Sequence, residues 1–514
     1  MDDHDARFPH GVVATPHHLA SEVGREILAS GGNAVDAIVG ANLALGVVTP
    51  YFCGPGGDLF AIVWDGRMHG YLGAGRAAAR TSPAEVGARH DGHMPYFGGD
   101  AVTVPGAVAG WAALLERWGT RSFGDLASGA RRLAEDGFTV SPHGAVSFAD
   151  GQAWYARMAP WMAQYGGVEA GTHFRQPASA RLLERIAADG PDAFYRGPVA
   201  AAVAASVQEA GGTLTPEDLA AHAGEWCDPL TATYRDTTIA ELPPPTQGVA
   251  VLEALRILDG IDLPPDPVAC THLLVEAVKL ALVDRDTHVG DPDAMTVPAD
   301  ALLADAYVAT RRDALDPERA ADPPPGHPQR GGTAYLCAAD RDGLLVSLIQ
   351  SNFVGFGSGV FVPEWGVNLH NRGASFSLDP DRVNVLAPGK RPLHTLVPAL
   401  ALRDGRPWTV FGTMGGDAQA QVHVQLLNRM VDDGDDPATA IAAPRWRVDP
   451  GSWRLHVEER VPDAVVAGLR ARGHRIESAP PFDSAMGHAH AIRVGADGYH
   501  AGSDPRAEGA ARGH

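Results

Sequence analysis

Between residues 329 and 357 the chain reads QRGGTAYLCAADRDGLLVSLIQSNFVGFG, and this stretch constrains the fold more than any other. A proline-heavy loop (Pro323, Pro324, Pro325, Pro328) ends in Gly331-Gly332, and Thr333 opens a β-forming run. Tyr335 to Ala339 reads as a strand, Asp340-Arg341-Asp342-Gly343 as a hairpin turn, and Leu344 to Gln350 as the return strand. If the Gly332–Thr333 bond is cut, Thr333 becomes a new N-terminus. Its α-amine, with a pKa of ~7.7–8.0, can then take the proton of its own hydroxyl and make it a nucleophile. Gly332 places no Cβ in the way of attack on the preceding carbonyl. An ordinary hairpin that opens on a β-branched residue fits the same local pattern.

The chain has 514 residues, 45% of them hydrophobic and 20% charged, enough for a large packed core. A net charge of -21 argues against nucleic acid or an anionic membrane surface as partner. Cys53, Cys227, Cys270 and Cys337 are far apart and form no CxxC pair, which suits a reducing compartment. The acidic start MDDHDARFPHGVVATPHH has no apolar core of a signal peptide, and no run approaches 18 apolar residues, so a cytoplasmic protein is expected.

Leu19 to Ala29 reads as a helix closed by Ser30-Gly31-Gly32-Asn33, and Ala34 to Leu45 as a second one. Gly54-Pro55-Gly56-Gly57-Asp58 leads into an alternating strand, Leu59 to Trp64, and Pro105-Gly106 precedes a helix over Ala107 to Trp118. Residues 120 to 320 read as mostly helical, with Thr215 capping Pro216-Glu217-Asp218 and a long amphipathic helix from Thr271 to Asp286. The proline run Glu241 to Gly248 reads as a stiff surface connection. After Thr333, strands are expected near 335–339, 344–350, 396–402 and 408–411, then a helix from about 418 to 431. Helices before Thr333 and paired strands after it point to one mixed, layered domain.

The motifs ASGGNAVDA (29–37), GPGGDLFA (54–61), VPGAVAGW (104–111), LPPPTQG (242–248), GTAYLCAADRDG (332–343), FGSGV (356–360), GTMGGD (412–417) and SDPR (503–506) follow one another in an order that resembles the γ-glutamyltransferase family of N-terminal-nucleophile hydrolases. The resemblance covers nearly the whole chain. It implies an α+β fold, a four-layer αββα sandwich, made as a precursor and self-cleaved between Gly332 and Thr333. The pieces, 1–332 and 333–514, would form one interwoven domain. It also implies that Thr333 is the nucleophile, that Gly415 and Gly416 supply oxyanion-hole N–H groups, and that Ser351 supports the nucleophile. A glycine pair at a strand-to-helix turn suits that oxyanion role. Arg76 matches the arginine that holds the substrate carboxylate. No cofactor or metal is implied; the expected partners are a small acidic amide and water or an amino-acid acceptor, in a possible homodimer of processed pairs.

Several positions depart from the glutamyl-transferring pattern. Ala334 follows the nucleophile where a second threonine is usual. Ser375, within Asn371-Arg372-Gly373-Ala374-Ser375, stands where an acidic residue reads the substrate's amino group. His394-Thr395 replaces a serine pair, and Asn352 comes one place early. Asn352, Asn371, Arg372, Ser375, His394 and Thr395 therefore join Arg76 as expected substrate-binding residues. The loss of a carboxylate and the gain of Arg372 favour an acyl group with a carboxylate and no amine, of oxamate or glutaryl type. SLIQSNF and NRGASFSL look most like the oxamate amidohydrolase-like branch. A true glutathione hydrolase or γ-glutamyl transferase, and an unprocessed non-catalytic relative, are the alternatives within the family. A metal-dependent hydrolase built on His488 and His490, His17-His18 or His394 is the rival outside it, without an HExxH or Cys/His cluster to support it.

Overall fold

A computed structural model describes residues 7–323 and 332–514. Pro324, Pro325, Pro328 and Gly331 of the expected loop lie outside the described residues. Thr333 belongs to the strand Gly332–Asp340, which is hydrogen-bonded on one side to Leu345–Phe353 and on the other to Gly11–Thr15. Asp58–Trp64 extends the sheet beyond Leu345–Phe353, so two strands from after the expected cut lie between two from before it.

That sheet has seven strands among the described residues, in the order 510–513, 11–15, 332–340, 345–353, 58–64, 68–73 and 225–227. A second seven-stranded sheet runs 7–8, 498–503, 489–495, 406–413, 399–403, 237–241 and 230–234. The odd and even residues of the Thr333 strand explain the layering. Ala334, Leu336 and Ala338 pack into one apolar cluster with the helices His18–Ala29, Ala34–Val48 and Ala107–Trp118. Tyr335, Cys337 and Ala339 face the opposite way, into a cluster shared with Leu400, Val410 and Ile492 of the second sheet. The far face of that sheet (Ala399, Ala401, Phe411) packs on the helices Gly248–Asp259, Pro267–His288 and Ala418–Leu427. The order of layers is helix, sheet, sheet, helix, as expected. Gly412 makes the close approach between the sheets possible, because a Cβ there would meet the Tyr335 ring at 2.4 Å.

Local chemistry explains most boundaries. Asn33 and Asp36 form a capping box at the start of Ala34–Val48. Thr215 and Asp218 form another, with Pro216 in the first turn. Three readings need correction. Asp58–Trp64 is buried on both faces through Val63, so it carries no solvent-facing stripe. The helix at Pro267–His288 buries polar as well as apolar residues, including His272, Glu276, Lys279 and Arg285, and is not amphipathic. The segment 120–320 is mostly helical as expected, and it also contains a hairpin, Leu230–Tyr234 and Thr237–Glu241, turned by Arg235 at φ 55° with no glycine to announce it. The proline run is buried: all of 241–248 except Pro243 is inaccessible, and Gln247 reaches the turn at Gly416. The helix expected to 431 is α-helical to Leu427 and ends in a π turn, Asn428–Asp432.

Because the Thr333 strand is held between Gly11–Thr15 and Leu345–Phe353, cutting the Gly332–Thr333 bond should leave one particle. On a sizing column the pieces 1–332 and 333–514 are expected to co-elute near 53.9 kDa or a multiple of it and to part only in denaturant. Separation in native buffer would contradict this strand placement.

Candidate active site

The Thr333 side chain is fully buried, and its Oγ1 lies 3.0 Å from Ser351 Oγ. The Ser351 hydroxyl donates its only proton to the carbonyl of Gly332, at 2.7 Å, and accepts the Phe353 N–H at 2.8 Å. With that proton committed, Thr333 must be the donor in the pair of hydroxyls. One serine thus touches both the hydroxyl expected to attack and the carbonyl expected to be attacked.

The backbone is shaped for this contact. Gly332 pairs with Phe353 and Ala334 with Gln350, so Ser351 and Asn352 together face the single residue Thr333 in a β-bulge. Phe353 is held at φ 74°, a strained position for a bulky residue. Gly57 lets the GPGG loop close on the bulge, since a Cβ there would meet Ser351 O at 2.5 Å. Asn352 donates to Pro50 O, while Asn371 donates to Tyr96 O and accepts the Val354 N–H. Both asparagines fix main chain around the bulge.

Gly415 and Gly416, at φ 136° and 59°, form the turn from Arg406–Thr413 into the helix Ala418–Leu427. Gly332 and Gly415 line the same cavity of about 1000 Å³, together with Phe52, Tyr96, Trp154 and Phe356. The bond expected to break and the expected oxyanion turn therefore face one space. Gln247 Nε2 donates to Gly416 O and Thr395 O, at 3.0 and 2.8 Å. Arg285 Nη1 in turn donates to Gln247 Oε1 and Asp417 Oδ1, each at 2.6 Å. The buried proline run thus delivers the residue that fixes the turn at Gly415-Gly416. LPPPTQG and GTMGGD carried this signal as motifs, but not the roles of Gln247, Arg285 and Asp417.

Arg372, His394 and Thr395 come together as expected. Arg372 is buried, stacks over the Phe353 ring at 3.9 Å and donates to Thr395 Oγ1 at 3.4 Å. Burial brings its guanidinium down to about 9, against the pull of Asp58 and Asp417. The Ser375 hydroxyl shares its one proton between Arg372 O and Leu393 O and so anchors the turn that presents Arg372. Arg76 is elsewhere: its side chain is 44% exposed, beside Glu225 and Asp291 at 3.6 Å, and donates to Gly389 O.

Sequence reasoning missed Asp58. It lies across the ladder from Ser351, fully buried, and its Oδ1 accepts the Gly106 N–H at 3.1 Å. Burial raises its carboxyl to about 7, even with Arg372 nearby. The second oxygen, Oδ2, has no hydrogen-bond partner; His394 Nε2 and His370 Nδ1 stand 3.5 and 3.7 Å away.

The histidines weighed as metal ligands are placed differently. His488 is hydrogen-bonded to Ser484, His490 stacks on Tyr335, and His17 stacks on His18. Among the described residues the group with metal-like spacing is His272, Glu276 and His474, which the sequence reading did not single out. There the two imidazoles hydrogen-bond to each other at 2.8 Å, and Glu276 is engaged by Lys279 at 2.7 Å.

The γ-glutamyltranspeptidase family model matches residues 20–514. The chain belongs to the γ-glutamyltranspeptidase family. It is 38% identical over 528 residues to an oxamate amidohydrolase proenzyme of Klebsiella pneumoniae, and 36% identical over 520 residues to the glutathione hydrolase-like YwrD proenzyme of Bacillus subtilis; both matches cover 98% of each chain. Its structure is similar to that of a cephalosporin acylase from Bacillus halodurans, with a TM-score of 0.95, 37% identity, and coverage of 99% of this chain and 97% of that one. The protein is accordingly an enzyme of the amidohydrolase and acyltransferase kind, with the sandwich fold of the N-terminal-nucleophile hydrolases.

The buried histidines set an acid limit on this member of the family. Burial holds His17, His370, His474 and His488 at about 3, and His222 and His490 at about 4, against 6.5 when exposed. The unfolded chain therefore binds more protons between those values and 6.5, and each group removes up to ~1.4 kcal/mol of stability per pH unit as pH falls through that window. Asp58 and Glu253, raised to about 7 and about 8, act in the opposite direction but are fewer. The melting temperature is expected to fall steadily from pH 6.5 to pH 4.5. A flat profile by calorimetry would contradict the neutral burial of these rings.

Proposed function

We propose that the chain cleaves itself between Gly332 and Thr333 and then hydrolyses the amide bond of a small, carboxylate-bearing acyl group of γ-glutamyl, glutaryl or oxamate type, through an acyl-enzyme on Thr333. The observation that carries this reading is the Ser351 hydroxyl, which joins Thr333 Oγ1 to the carbonyl of Gly332. Before cleavage the Thr333 nitrogen is an amide and has no basic lone pair. Ser351 is then in place to relay the threonine proton, taking it as it passes its own to the Gly332 oxygen, while Oγ1 adds to the Gly332 carbonyl carbon. The C–N bond breaks, the proton passes to the Thr333 nitrogen, and the ester left on Oγ1 is hydrolysed by water.

The freed amine then serves as base. Thr333 Oγ1 adds to the substrate carbonyl, the N–H groups of Gly415 and Gly416 hold the oxyanion, and the amide C–N bond breaks as the leaving amine takes the proton. Water adds to the ester by the same route and releases the acid; an amino-acid amine in place of water gives transfer. Arg372, with Thr395 and His394, is the carboxylate end of the site in this reading, because it is buried and stacks on Phe353, the ladder partner of Gly332. Arg76 is already engaged outside that group. The four cysteines are free, which supports a cytoplasmic setting.

The reading is tested with glutathione, a glutaryl amide and oxamate offered to the purified enzyme. At least one is expected to be hydrolysed, and Thr333→Ala to lose that activity by about 10⁶-fold, the scale seen when a nucleophile is removed from a catalytic unit. Ser351→Ala is expected to accumulate uncut chain. Turnover of none of the three, or activity that survives Thr333→Ala, would overturn the proposal.

A further inference from the structure

The cavity of about 1000 Å³ that Gly332 and Gly415 share is far larger than the acyl group proposed above. A glutaryl group has eight non-hydrogen atoms, and at ~30 Å³ for each water-sized atom it fills roughly a quarter of that space. Cavities of this size hold drug-sized molecules. Arg372, His394 and Thr395 are not among the residues that line it, so the carboxylate end of the acyl group does not account for the remainder. The space is left for the other half of the substrate, the amine.

Aromatic rings line this space from the scissile bond outward. A Cβ built on Gly332 would meet the Phe52 ring and the backbone nitrogen of Gly355, each at 3.4 Å. Gly355, at φ 54°, carries the indole of Trp154 in turn: a Cβ there would meet Trp154 Cζ3 at 2.8 Å. Phe97 stands 6.4 Å from Trp154, and Tyr96 stacks on Phe353 at 6.4 Å and 16°. These rings are not sealed in a core. Trp154 is 47% and Tyr96 38% exposed, two of the five large apolar side chains exposed among the described residues. Two such rings opening on one cavity next to the reacting bond form an apolar surface that a ligand can cover. Arg447, the cation among the lining residues, is paired with Asp449, and Asp417 is paired with Arg285. Nothing cationic is left over there to draw an anionic leaving group.

Resting on the function proposed above, we propose that this cavity is the leaving-group site, and that the amine half of the preferred substrate is a large aromatic amine without a carboxylate. Trp154, with Tyr96 and Phe52, is the specificity-determining wall for that half. The acyl group sets which bond is cut, and the rings set which amine is released. Ammonia, methylamine and other small amines leave most of the cavity wet and are released from poorer substrates.

The test holds the acyl group constant, at whichever one the processed enzyme turns over, and compares its 2-naphthylmethyl amide with its methyl amide. Both release an alkyl amine, so the bond broken is similar and the difference reports the cavity. The wild-type enzyme is expected to favour the naphthylmethyl amide by at least ~10-fold in kcat/KM. Free 2-naphthylmethylamine is expected to inhibit more strongly than methylamine by a similar factor. Trp154→Ala is expected to lower the preference about fivefold or more, through the KM of the naphthylmethyl amide, and Trp154→Phe to restore most of it. Equal or better use of the methyl amide by the wild type would overturn the inference while leaving the enzyme reading intact. So would an unchanged preference in Trp154→Ala, or an aromatic group accepted on the acyl side and refused on the amine side. If Trp154→Ala does not fold, the wild-type ratio and the inhibition by the two amines decide the matter. Absence of any Thr333-dependent turnover would instead sink the function proposed above. In that case calorimetry showing 2-naphthylmethylamine bound no more tightly than methylamine would separately overturn the aromatic site.

Discussion

The Ser351 hydroxyl has one proton and two lone pairs, and all three are committed: to Gly332 O, Thr333 Oγ1 and the Phe353 N–H. Much of the surrounding structure follows from holding that oxygen in place. The bulge that sets two residues against Thr333 aims it, the strained Phe353 supplies its N–H, and the bare Gly57 allows the neighbouring loop to reach its backbone. A methyl group at Gly57 or a regular ladder at Thr333 would move the hydroxyl off the carbonyl it polarises.

Around this contact the protein places charge where water is excluded. Asp58, Arg372, Arg285 and Asp417 are all buried. Arg285 and Asp417 are paired directly and, through Gln247, fix Gly416. Asp58 and Arg372 attract each other without a direct bond. The first pair is complete and serves to hold backbone. The second leaves one donor and one acceptor without a hydrogen bond.

The sequence was legible where local chemistry decides structure. The hairpin about Asp340–Gly343, the capped helix after Asn33 and the helix after Gly106 all lie close to where their residues predict. The order of motifs also carried the family and the layered sandwich. It misled where tertiary context overrides local pattern. A run of three prolines resembles an exposed spacer, yet its neighbours are buried because Gln247 must reach Gly416. Leu230–Tyr234 and Thr237–Glu241 form two strands inside a mostly helical region because the second sheet continues through them. Asp58 was missed for a related reason. It is far in sequence from Ser375, and only the pairing of Asp58–Trp64 with Leu345–Phe353 brings a carboxylate beside the nucleophile. A buried carboxylate therefore stands near Arg372 although Ser375 is not acidic.

The central claim is that Thr333 is freed by breaking the bond whose carbonyl Ser351 holds. The most direct measurement is the intact mass of freshly purified protein, with N-terminal sequencing of the smaller species. Two chains are predicted, the smaller beginning Thr333-Ala334-Tyr335. A single chain of 53.9 kDa that persists through long incubation, or a smaller piece with a different first residue, would contradict the account.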